Sequence, residues 1–121
     1  MNAITRTLAA ATLALGASAA HGADIAGLYA AAGTNFDGSG YEGTALIQMT
    51  GPTTCTITWT TGGSTSAGHC MVRGNVVAAS YVLSSGHVGL VLYDVLADGR
   101  LDGVWTANTA PGQGTEVLTP Q

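Results

Sequence analysis

The residues able to do chemistry in this chain are few: two cysteines, three histidines, seven carboxylates and no lysine. Two free thiols, Cys55 and Cys70, could form a redox pair or ligate a metal. A redox dithiol, however, is usually a C-x-x-C at a helix start, and a metal site needs more than two ligands. His69 and His87 have no partner at ligand spacing, so solvated surface positions are expected for both and no metal is implied. No serine stands in a G-x-S-x-G elbow, and a triad would have to recruit one of those histidines. Asp24, Asp37, Asp98 and Asp102 occupy turn-like positions. Asp94 and Glu116 differ, because they fall among apolar residues inside expected strands. Two carboxylates at one cleft would make a glycosidase set, but loop and edge placement is the expected explanation. The string Asp98-Gly-Arg-Leu-Asp102 lacks the alternating oxygen ligands and closing glutamate of a calcium loop. The inventory therefore implies neither an enzyme nor a bound cofactor.

The aromatic residues offer different chemistry. Trp59, Tyr81, Tyr93 and Trp105 alternate with small residues, so they face the interior of whatever the strands enclose. A small eight-stranded barrel is either packed solid by such rings or holds one small molecule among them, and both options stand at this point.

Two features bound the setting. Arg6, the apolar run Leu8–Ala17 and the small residues up to Ala23 have the three parts of an export signal, with cleavage expected after Ala20 or Ala23. The run is too short to span a bilayer. Residues 1–23 are thus read as a signal peptide and residues 24–121 as one domain of a periplasmic or secreted protein. Removing the signal takes away one of three basic residues and none of the acids. So little positive charge gives counterion release nothing to work with, which excludes nucleic acid and disfavours anionic membranes as partners.

The elements that must position these residues are strands. Runs of about eight residues rich in Thr, Val, Ile, Tyr or Trp recur every 12 residues or so, separated by glycine turns, which is the all-β pattern. Strands are expected near 26–33, 41–50, 53–61, 64–73, 76–83, 87–96, 100–107 and 114–119. Gly62-Gly63, Gly74-Asn75 and Asp98-Gly99 suit two-residue hairpins, while residues 35–40 and 108–114 read as longer, mobile loops. Placing Gly62-Gly63 at a hairpin tip makes Cys55 the direct cross-strand partner of Cys70, within reach of a disulfide. Export makes that bond persistent. The same register puts Thr54, Thr56, Thr58 and Thr60 on a wet face, so the outer surface is expected to be polar. Gly43, Gly68, Gly89 and Gly103 lie inside strands and mark bends or close packing against an aromatic ring. The sum is a small up-and-down antiparallel barrel of about eight strands, with a two-sheet β-sandwich as the alternative.

The order Gly27-Leu-Tyr29, Tyr41-Glu-Gly43, Ile57-Thr-Trp59, Arg73-Gly-Asn75, Tyr93, Asp98-Gly99 and Leu101-Asp-Gly-Val-Trp105, closing on Gly114-Thr-Glu116, resembles a group of small exported bacterial glycine-rich proteins. Some of these carry the label fibronectin-binding protein. The resemblance implies a binding or adhesion module of the bacterial envelope, with an extracellular protein as partner. The residues themselves also allow a carrier of a small apolar ligand, with Trp59, Tyr81, Tyr93 and Trp105 as the candidate binding residues.

Overall fold

Eight antiparallel strands close into a barrel in simple sequence order, each hydrogen-bonded to its chain neighbours and the last returning to the first. The computed structural model describes residues 24–121, so the export signal expected over 1–23 lies outside the described residues. The strands are β1 (Gly27–Thr34), β2 (Gly40–Met49), β3 (Thr54–Thr61), β4 (Ser64–Arg73), β5 (Val76–Val82), β6 (Val88–Val95), β7 (Leu101–Ala107) and β8 (Gly114–Pro120). Each begins and ends within about a residue of its expected place, because the punctuation is chemical: glycine supplies the positive φ at Gly62, Gly63 and Gly74. Closure leaves no free sheet edge, which decides for the barrel over the sandwich.

Two turn expectations are corrected. Asp98-Gly99 is not a two-residue hairpin: Leu96 N–H donates to the Arg100 carbonyl and Gly99 N–H to the Leu96 carbonyl, leaving three residues in the loop. Residues 35–40 are not a long loop but the same three-residue turn, with Asn35 and Gly38 bonded in the equivalent way. In both, a carboxylate braces the turn. Asp37 accepts from the Ser39 backbone at 2.9 Å, and Asp98 from the Arg100 backbone at 3.0 Å. Both glycines, Gly38 and Gly99, hold φ near +90°. An aspartate followed by a left-handed glycine turns the chain in one residue more than a dipeptide signal suggests.

The outer surface also departs from expectation. The β3 threonines face outward as read, but Val82, Val88, Leu90, Leu92 and Val104 make the outside of β5–β7 apolar. The cause is local: in Val88-Gly-Leu-Val-Leu-Tyr93 apolar residues occupy both phases of the alternation, so one set must face out.

The interior divides into two halves. At the end where β1 begins and β8 finishes, Ile25, Ile47, Ile57, Val77, Leu101 and Leu118 are all but fully buried and fill the barrel. Cys55 and Cys70 are direct cross-strand partners there, bonded as a disulfide with Cα atoms 4.9 Å apart. A bridge closing a 15-residue separation removes about 3 kcal/mol of chain entropy from the unfolded state. Reduction, or the Cys55→Ser/Cys70→Ser pair, is therefore expected to lower the melting temperature by about 15 °C. A drop of less than about 5 °C in a calorimetric melt would count against a stabilising role.

Candidate functional site

Glycines shape the other half. On one line around the barrel wall, Tyr41 of β2 pairs with Gly33 of β1, Gly33 with Glu116 of β8, Glu116 with Gly103 of β7, and Gly103 with Tyr93 of β6. With no side chain on either glycine, the hydroxyl end of Tyr41 and the ring edge of Tyr93 enter the space a Cβ would take, beside the Thr115 carbonyl at Gly33 and the Leu92 carbonyl at Gly103. Both tyrosine hydroxyls thereby reach the carboxylate between them. The same device recurs at Gly89, covered by Tyr81, and at Gly114, covered by Trp105. At Gly43 and Gly68 no ring intervenes: a Cβ there would meet only the backbone of the neighbouring strand, so they mark close strand approach.

Glu116 is 4% exposed and accepts three hydrogen bonds. Its Oε1 takes one from the Tyr41 hydroxyl at 2.9 Å. Its Oε2 takes one from the Trp59 indole N–H at 3.0 Å and one from the Tyr93 hydroxyl. Among the described residues the one ion pair joins Arg100 to Asp98 on an outer turn, so hydrogen bonds alone hold the buried carboxylate. Trp59 packs edge-on against Tyr81 at 5.2 Å between ring centres, and Tyr81 donates to the Thr106 carbonyl at 3.0 Å. Trp105 stacks on Phe36 at 4.8 Å and donates its indole N–H to the Thr115 carbonyl at 3.2 Å.

These rings surround a cavity of about 500 Å³ that opens at the end of the β3–β4 hairpin, where Ser64, Thr65, Ser84 and Ser85 form a hydroxyl rim. All four candidate binding residues, Trp59, Tyr81, Tyr93 and Trp105, line it. The interior is thus hollow at the mouth and packed at the closed end. Tyr41 and Glu116 line it too and were not anticipated as binding residues; the inward phase of Gly114, Glu116 and Leu118 was the available signal. The other chemical candidates stay apart. Asp94 and His69 are exposed on the outer face, His69 beside Thr56, and His87 is exposed near the rim with Nδ1 2.8 Å from the Ser85 hydroxyl.

Burial raises the pKa of all four tyrosines of the chain. The Glu116 charge adds to this at Tyr41, Tyr81 and Tyr93, and Asp24 adds to it at Tyr29. Tyr81 is pushed up to about 12, Tyr41 is raised further, and Tyr93 is held well above the ordinary tyrosine value. A folded-state pKa above the unfolded value means that the stabilisation is whole below pH 10 and is lost as pH rises from there through about 12. The expected result is a protein that shows no tyrosinate absorbance at pH 10 and ionises its tyrosines together as it unfolds above that. Tyrosinate absorbance rising near pH 10 with an unchanged circular dichroism spectrum would contradict it.

No protein-family model matches the chain, and no curated protein matches it. Among solved structures it is similar to designed barrels. A redesigned β-barrel aligns with TM-score 0.70 and 16% identity, over 80% of this chain and 91% of that one. A second redesigned barrel, mFAP1 bound to DFHBI, gives 0.68 and 18%, over 78% and 94%. A de novo fluorescence-activating β-barrel gives 0.65 and 17%, over 79% and 93%. At this identity the likeness shows a shared barrel fold.

Proposed function

We propose that the protein is an exported, non-catalytic binding protein, periplasmic or secreted, that holds one small, largely apolar ligand in the mouth-side cavity. The observation that carries this reading is the cavity itself: about 500 Å³, ringed by Trp59, Tyr81, Tyr93 and Trp105, at one end of a barrel whose other end is filled. That volume sits in the range of small-molecule sites, and an aromatic wall with a few placed polar groups is their usual chemistry. The similar mFAP1 barrel, solved with DFHBI bound, supports the view that a barrel of this size accommodates a dye-sized molecule. Export rests on the leader features of residues 1–23 and is favoured by the disulfide. The order of the two expected roles is reversed: adhesion is implied by the resemblance alone, whereas the cavity serves a carrier.

Both tryptophans of the chain line the cavity, so its own fluorescence reports occupancy. Titration with the neutral dye N-phenyl-1-naphthylamine is expected to quench tryptophan emission saturably at one dye per chain. Ser66→Trp, which places a large ring opposite Trp59 inside the mouth, should weaken that binding at least tenfold. Dye binding that survives this substitution would place the dye elsewhere, such as on the apolar outer face, and would refute the reading.

A further inference from the structure

Resting on that reading, we infer that the ligand carries a positively charged or strongly hydrogen-donating nitrogen, an alkylammonium or amidinium on an apolar aromatic body, seated against Glu116. Hydrogen-bonding capacity among the rings at the cavity floor is one-sided. Five ring groups there could donate a hydrogen bond, and all five are spent. The Tyr41 and Tyr93 hydroxyls and the Trp59 indole donate to Glu116, the Tyr81 hydroxyl to the Thr106 carbonyl, and the Trp105 indole to the Thr115 carbonyl.

What remains for a ligand at depth is acceptor capacity. A carboxylate offers about four lone-pair sites. Glu116 uses one on Oε1 and two on Oε2, so a site on Oε1 is open. The surrounding ring faces are the negative side of the aromatic quadrupole and attract a cation further. An anionic ligand would meet a buried carboxylate, negative ring faces and no uncommitted ring donor, leaving it wall hydroxyls such as that of Ser66. A neutral apolar ligand would fit but leave the Oε1 site unpaired, at a cost in affinity. An ammonium supplies the counter-charge that none of the described residues provides, since Arg100 is engaged by Asp98 and Arg73 is exposed at the closed end of the barrel.

The test is a set of three ligands of nearly one shape and different charge, titrated by calorimetry into the full mature protein with its disulfide intact. 1-Naphthylmethylammonium is expected to bind at least tenfold more tightly than 1-naphthylmethanol, with 1-naphthoate weaker than both. In Glu116→Gln the amine should lose at least tenfold and the alcohol less than threefold. The wild-type series decides the question even where that variant folds poorly. An alcohol that binds as tightly as the amine overturns this inference and leaves the cavity reading standing. Absence of saturable binding by all three, together with no binding of N-phenyl-1-naphthylamine, overturns both.

Discussion

Replacing Gly68 with alanine is expected to destabilise the barrel more than any other single methyl added to a strand glycine of this wall. A Cβ at this position falls on the Ser80 carbonyl oxygen, 2.6 Å from the Ser80 carbonyl carbon and 2.8 Å from the Tyr81 Cα. All three atoms belong to the backbone of β5, which pairs with β4 through this very stretch. A side-chain neighbour could rotate away. A backbone neighbour yields only if the β4–β5 ladder opens. Overpacking of this kind costs about 3 kcal/mol when side chains absorb it, and more when they do not. Against a total stability of about 5–15 kcal/mol, a loss of about 4 kcal/mol or more is the expected outcome. Gly40→Ala is the matched control, because a Cβ there has the Gly33 carbonyl at 3.7 Å as its nearest contact and should be tolerated within about 0.5 kcal/mol. Urea denaturation of the two variants decides the matter: similar midpoints would show that the strands are not drawn together at Gly68 as described.

Glu116→Ala is expected to destabilise the barrel by about 3 kcal/mol, although it removes a buried charge. Burying an unpaired carboxylate is costly, and its loss alone would stabilise the fold. Three donors, however, converge on this one group, and Trp59 and Tyr93 are both nearly fully buried. Without the carboxylate the Tyr93 hydroxyl is orphaned, while Trp59 and Tyr41 fall back on longer bonds to the Tyr93 hydroxyl at 3.2 Å and the Thr115 carbonyl at 3.4 Å. An orphaned buried donor costs about 1–3 kcal/mol and the two weakened bonds add to it, so the donors outweigh the charge. Glu116→Gln keeps one oxygen acceptor and should cost roughly half as much. Chemical denaturation that finds Glu116→Ala within about 1 kcal/mol of wild type would mean that water replaces the carboxylate at no penalty. The same measurement repeated with saturating ligand separates loss of fold from loss of the site.

Much of the fold is legible because its signals are local. The Cys55–Cys70 pairing follows from counting outward from Gly62-Gly63, and the inward phase of Trp59, Tyr81, Tyr93 and Trp105 follows from strand alternation. Glu116 is the instructive miss. Its neighbours in sequence, Thr115 and Val117, say nothing of its role, which depends on Gly33 and Gly103 lying directly across two different strands. The first of these pairings exists only once the barrel has closed β8 onto β1. A register that joins the two ends of a chain is set by shear and closure, and no local pattern encodes it. Likewise the turn at Asp98-Gly99 depended on whether Leu96 and Arg100 remained paired, a matter of one hydrogen bond at the ladder's end.

The two ends of the described chain lie together. Gly27 at the start of β1 and Pro120 at the end of β8 both stand at the filled end of the barrel, where Gln121 N–H donates to the Leu28 carbonyl. The cavity mouth is at the opposite pole, framed by hairpin tips. Anything joined to Gln121, whether a linker, a fluorescent reporter or a solid support, is therefore carried on the side away from the opening. A barrel immobilised through that end would present its entrance outward, so a sensor chip coated this way would hold every molecule in one orientation with its binding site unobstructed.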